Sequence, residues 1–148
     1  MGASAPRYFT VDEANELVPQ LAHLMGQQMK LLSEIEALVR VLSAEVGPLD
    51  EERVRVLPDD APHVRERKEA LGRAVQLYRE RWSRAEETGV IIKDPRLGLV
   101  DFYARIDGET VLLCWQYGEP EVAYYHAVDA GFGARKPLDE LAAAPVLN

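Results

Sequence analysis

A single cysteine, Cys114, stands among the 148 residues, so no disulfide can form within the chain. That scarcity points to a reducing compartment. Long apolar runs are missing as well, and none approaches the roughly 20 residues that a membrane-spanning helix requires. The opening Met1-Gly-Ala-Ser-Ala-Pro6 has neither the basic nor the apolar region of a secretory signal. Positive charge is in short supply, 17 Lys and Arg against 25 Asp and Glu, for a formal net charge of −8. Such a chain lacks the basic footprint that phosphate backbones demand, which argues against a nucleic-acid partner. No glycine-rich phosphate loop is present either, because Gly131 and Gly133 lack the following helix and lysine. Spaced metal signatures of the His-Glu-x-x-His or paired Cys-x-x-Cys kind do not occur. The expectation is a cytoplasmic protein with no membrane and no nucleic-acid partner.

What is present is ample apolar material, 47% of the residues, which suffices for one domain over residues 1–148 with its own core. Thr10-Val-Asp-Glu13 is a capping box, in which the Thr10 hydroxyl and the Glu13 carboxylate each take one of the free amides of a helix start. Behind it Leu17, Leu21, Leu24, Gln28, Leu31, Ile35, Leu38 and Leu42 advance by steps of four and three. A second line, Val18, Met25, Leu32, Val39 and Val46, repeats every seven residues beside the first. The apolar face is therefore wider than a two-stranded seam. Pro19 removes one backbone donor and predicts a kink, and Gly47-Pro48 ends the helix. After a connection over residues 49–60, Val64, Leu71, Val75, Tyr78, Trp82 and Ala85 mark a second helix that closes at Gly89. Its other faces are densely charged, as a solvated surface would be.

The period then falls from 3.6 to 2. Val90–Lys93 reads as a short strand, and Leu99–Ile106 and Glu109–Tyr117 as two longer ones joined by the hairpin turn Asp107-Gly108. A two-residue loop sets the register, pairing Arg105 with Thr110, Tyr103 with Leu112 and Asp101 with Cys114. One face then carries Val100, Phe102, Ala104, Ile106, Val111, Leu113 and Trp115 and is the buried one. The other carries Asp101, Tyr103, Arg105, Thr110, Leu112, Cys114 and Gln116, too polar for a core and too mixed for a plain surface. Glu121–His126 reads as a further strand, and the tail from Asp129 as mostly loop. The fold class expected is α+β, a long antiparallel helical hairpin over about 10–89 followed by a small antiparallel β-sheet and a loop over about 90–148.

Length bears on assembly. A helix over residues 11–46 would span about 54 Å at ~1.5 Å per residue. A globule of this size is roughly 38 Å across, given a radius of gyration near ~15 Å. Such a helix outruns its own chain, and with its wide apolar face it predicts a homodimer built as a four-helix bundle.

Reactive side chains crowd between Asp101 and Arg135. Gly98-Leu-Val-Asp-Phe102, Cys114-Trp115, Gly118-Glu-Pro-Glu121, His126 and Gly131-Phe132 together resemble the DUF2203 family of uncharacterised bacterial proteins. So do Arg7-Tyr-Phe-Thr10 and Glu13-Ala-Asn15 near the start, and the resemblance spans nearly the whole chain. It implies no activity, ligand or cofactor. Tyr103, where the family commonly has proline, and Tyr125, where it usually has tryptophan, depart from its pattern.

Two chemistries compete for this region. Cys114, Glu119, Glu121, His126 and Asp129 are all metal-ligand types, and their soft and borderline donors suit Zn²⁺ or Fe²⁺. A site with three protein ligands would leave room for an activated water, hence a metal-dependent hydrolase or lyase. Alternatively Arg105 and Arg135 grip a carboxylate or phosphate, with Asp101, Tyr103 and His126 on the same polar face. Against that stands a plain pairing of Arg105 with Asp101 along the strand. Cys114 as a nucleophile with His126 as its base needs a thiol lowered by a helix N-terminus or a neighbouring cation, and the sequence puts Cys114 at no helix start. His23 and His63 belong to exposed helix positions. The leading expectation is a non-enzymatic homodimer that needs no cofactor and binds a small anion or a protein partner on the polar sheet face, with the metal enzyme as the alternative.

Overall fold

At the start of the first helix the capping box forms as the residues dictate. Glu13 N–H donates to the Thr10 hydroxyl at 3.0 Å, and Thr10 N–H donates to the Glu13 carboxylate at 2.9 Å. The computed structural model describes residues 5–139. Its elements are α1 (Val11–Val46), α2 (Pro62–Glu87), β1 (Ile91–Asp94), β2 (Leu99–Ile106), β3 (Glu109–Gln116), β4 (Tyr124–Ala127), a 3₁₀ turn at Phe132–Ala134 and β5 (Lys136–Pro137). This is the α+β arrangement expected. Pro19 is carried inside α1 without ending it. No helix among the described residues is long and apolar enough to cross a membrane.

The chain divides into two compact units, one of Gly26–Ser83 and one of Met1–Met25 together with Arg84–Asn148. In the first unit Leu42, Val64 and Leu71 are buried, with Ile35, Leu38, Val46, Leu49 and Val75 packed against them. Gln28, on the main stripe of α1, is 1% exposed and donates its amide to the Tyr78 carbonyl at 2.9 Å. The connection between the helices is held by Lys68, whose buried ammonium donates to the Asp60 carboxylate at 2.9 Å and to the Arg55 carbonyl at 2.9 Å. That carboxylate lies below its ordinary range because it accepts from the Leu57 amide and from Lys68. His23 and His63 are exposed.

The second unit holds the sheet, a five-stranded antiparallel meander in the order β1-β2-β3-β4-β5. Asp107 and Gly108 both take positive φ, 53° and 78°, the backbone of a primed two-residue turn. The register is the expected one throughout, from Ile106 opposite Glu109 to Asp101 opposite Cys114. Val100, Phe102, Leu113 and Trp115 are fully enclosed on the predicted core face, with the Phe9 ring edge-on to Phe102 at 5.2 Å. Phe9 N–H donates to the Tyr103 carbonyl at 2.7 Å, so Phe9 lies beside β2 just beyond the point where β1 begins.

One expectation changes, and two are made definite. The strand expected at Glu121–His126 begins only at Tyr124, because the Val122 N–H donates to the Asn15 side chain at 2.7 Å and not to a strand. The tail from Asp129 is mostly loop as far as residue 139, interrupted by the 3₁₀ turn and by β5, which pairs with β4 through Tyr124 and Tyr125. Its end, from residue 140 onward, lies outside the described residues. The polar sheet face is also buried at Asp101, Leu112, Cys114 and His126. The Tyr8 ring meets Tyr103 at a tilt, with centroids 5.9 Å apart, and the turn at Ala130–Phe132 walls the Asp101 end.

Candidate metal centre

Asp101 on β2 faces Cys114 on β3, and Cys114 faces Tyr124 on β4. His126, two residues past Tyr124, therefore projects from the same face as Asp101 and Cys114. Three strands thus deliver a carboxylate, a thiol and an imidazole to one point. Each is 2% exposed, and one donor atom from each lies within 4.8 Å of the others. Among the described residues this is the one such group of metal-ligand types.

The imidazole has one partner on each nitrogen. Nδ1 lies 2.8 Å from the Ala127 carbonyl oxygen, which can only accept, so Nδ1 carries a hydrogen and donates. Nε2 lies 3.1 Å from Oδ2 of Asp101. With Nδ1 protonated, a neutral ring presents a lone pair at Nε2 to a carboxylate, two acceptors in contact. A proton or a cation must sit between them. A hydrogen on one nitrogen directed at a backbone carbonyl, leaving the other free, is the usual setting of a metal-bound histidine.

Burial first, and then the Asp101 charge, push the Cys114 thiol up to about 12, with Arg135 working in the opposite direction. Without a metal this sulfur is a thiol, which removes the nucleophile–base reading with His126. Metal coordination deprotonates a thiol outright. Arg135 Nη1 lies 4.0 Å from Sγ, but the guanidinium is engaged elsewhere. It donates twice to Glu119, at 3.0 and 2.9 Å, and sits between the Tyr124 and Phe132 rings at 4.0 and 4.2 Å. Glu119 also accepts from the Gln116 N–H at 2.6 Å.

A cleft of about 120 Å³ opens on the three donors, walled by Lys93, Leu99 and the Ala130–Phe132 turn. Of the five residues weighed as metal ligands, Cys114 and His126 meet here, whereas Glu119 is held by Arg135 and Glu121 and Asp129 are exposed. Of the anion-binding set, Asp101 and His126 meet. Arg105 lies over the Tyr8 ring at 4.5 Å, Tyr103 meets Tyr8 at a tilt, and Arg135 pairs with Glu119. Nor does Arg105 pair with Asp101, whose carboxylate is turned to His126. Asp101 as a metal ligand was within reach of the hairpin register, which already set it opposite Cys114. Lys93 gave no such signal.

The family model described as "Uncharacterized conserved protein (DUF2203)" matches residues 7–138, almost the full chain and all of the site. The chain belongs to the DUF2203 family. No curated protein and no solved structure matches it. The DUF2203 assignment carries no activity with it, so function has to be argued from the site.

Proposed function

We propose that this DUF2203 protein is a metal-dependent enzyme of the hydrolase or lyase class, with Zn²⁺ held by Asp101, Cys114 and His126. The observation that carries the reading is the contact of His126 Nε2 with the Asp101 carboxylate while Nδ1 donates to Ala127. Sulfur, nitrogen and oxygen donors in one buried cluster suit zinc, and three protein ligands leave a fourth position for water or substrate. Zinc in such a position lowers the pKa of bound water to about 7 and polarises a carbonyl. The cleft at the donors gives that position access to a small molecule. The non-enzymatic anion reading has less support, since neither Arg105 nor Arg135 turns toward a shared pocket. A single thiol kept reduced suits the cytoplasm. Self-association through α1 belongs to the same proposal, supported by the second apolar line, where Leu32 and Val46 are half-buried and Val39 is 36% exposed.

Metal analysis of protein purified without chelator tests the centre. One zinc per chain is expected, retained on dialysis and lost in His126→Ala and Cys114→Ser. Metal-free protein that also takes up no added zinc would overturn the proposal.

A further inference from the structure

The pairing of β1 with β2 passes from Ile92 opposite Val100 to Asp94 opposite Leu99. Two steps on β1 answer one step on β2, so Lys93 is the additional residue of a β-bulge. Ile91 pairs with Asp101, so Lys93, two residues further on, projects from the sheet face that carries Asp101. Here Lys93 becomes a wall of the cleft that opens on Asp101, Cys114 and His126. Among the described residues it has no hydrogen bond or ion pair, and the Asp101 carboxylate beside it is turned to His126. An unpaired ammonium is thus set at the mouth of the site in a chain of net charge −8.

Charge counting gives that ammonium a purpose. Deprotonated Cys114 and ionised Asp101 cancel the two positive charges of a divalent ion, so the loaded centre offers an anion coordination at its open position but no net positive charge. Arg135, the other cation near the site, already makes its bidentate pair with Glu119. An anionic group entering the cleft therefore finds its one uncommitted positive partner at Lys93. The remaining wall, Leu99, Ala130 and Phe132, is apolar and suits a short carbon body. The cleft, about 120 Å³, suits a small occupant.

Resting on the metal reading above, we infer that the substrate is a small organic anion, its carboxylate or phosphate held by Lys93 and its reacting oxygen at the metal's open position. Lys93 is then a substrate-binding residue, and a ligand with two acidic groups gains from both ends of the cleft.

Cobalt(II)-loaded protein separates this inference from the reading beneath it. A thiolate-to-cobalt charge-transfer band reports occupancy through Cys114, and the visible bands of the ion report what enters the open position. Acetate, malonate and inorganic phosphate are titrated against the wild type, Lys93→Met and Lys93→Arg. The wild type is expected to bind malonate at least about tenfold tighter than acetate, the scale of one charge-assisted hydrogen bond. Lys93→Met should keep the cobalt band but lose the malonate advantage, and Lys93→Arg should restore part of it. If phosphate in place of malonate shows the Lys93-dependent gain, the substrate is a phosphate ester and not a carboxylate. A cobalt band that no anion perturbs, or an equal malonate advantage in Lys93→Met, overturns the inference while leaving the metal centre intact. Absence of the cobalt band overturns both.

Discussion

Replacing Asp101 with asparagine separates a metal centre from a buried ion pair. The amide keeps the shape of the carboxylate, and its NH₂ can donate to the lone pair on His126 Nε2, which Oδ2 of Asp101 faces at 3.1 Å. In metal-free protein the contact survives as a neutral hydrogen bond, so stability should change by no more than about 1 kcal/mol. For a chain of this size that is about 2–4 °C in Tm. Metal binding should respond quite differently, because the amide supplies no charge and is a poor zinc ligand. With free zinc at a hundred times Kd, the folded wild type gains about 2.7 kcal/mol, or roughly 5–11 °C. Losing one of three ligands should weaken affinity at least about a hundredfold, given that even outer-shell partners are worth about 10–100-fold. At the same zinc concentration the variant then gains only about 0.4 kcal/mol, near 1 °C. Thermal scans of both proteins, after chelator and again with buffered zinc, read all four values. An Asp101→Asn protein that keeps the full zinc shift would refute the assignment of Asp101 as a ligand. A wild type with no zinc shift would refute the centre itself.

Three further outcomes are expected. In metal-free folded protein Cys114 should resist alkylation at neutral and mildly alkaline pH and react once unfolded, because burial and Asp101 hold its thiol at about 12. The folded state binds that proton more tightly than the unfolded state, whose thiol is near the ordinary 9.0, so its contribution is complete below 9.0 and is lost as pH rises towards about 12. Denaturant midpoints across that range check the slope, and a rising stability would contradict it. Phe102→Ala, deep in the sheet core beneath Phe9, should cost about 3–5 kcal/mol in urea unfolding, and a loss under ~1 kcal/mol would place Phe102 outside the cooperative core. Asn15→Ala leaves the Val122 N–H buried without an acceptor and should cost about 1–3 kcal/mol, with faster hydrogen exchange at Val122, whereas Asn15→Asp, which still accepts, should not.

Much of the architecture was legible because it is written in local rules. Thr10 and Glu13 announce a helix start through groups a few residues apart, and α1 begins where they place it. Asp107-Gly108 can close a hairpin only as a primed turn, and that turn pins all eight pairs of β2 and β3, Asp101 opposite Cys114 among them. Two of the three donors of the candidate centre were therefore readable as neighbours before any fold was known. His126 was readable only as a ligand type, since its place beside Asp101 depends on how far the 117–123 segment runs before β4 begins. That distance is set by Val122 docking on Asn15, a contact across 107 positions of sequence.

Glu119 and Arg135 show the limit most clearly. Each was a reasonable site residue by type, one for a metal and one for an anion. In the folded chain they satisfy each other across 16 positions and are lost to any ligand. Lys93 went the other way, from an ordinary strand residue to a wall of the cleft, because β1 pairs with β2 so that Ile91 meets Asp101. The sequence by itself determined the helices, the hairpin register and the inward face of the sheet, because periodicity, capping and turn geometry act within a few residues. Only the tertiary structure decided which polar groups are buried together and which are spent on one another. Those pairings join residues far apart in the chain, and nothing in their spacing records them.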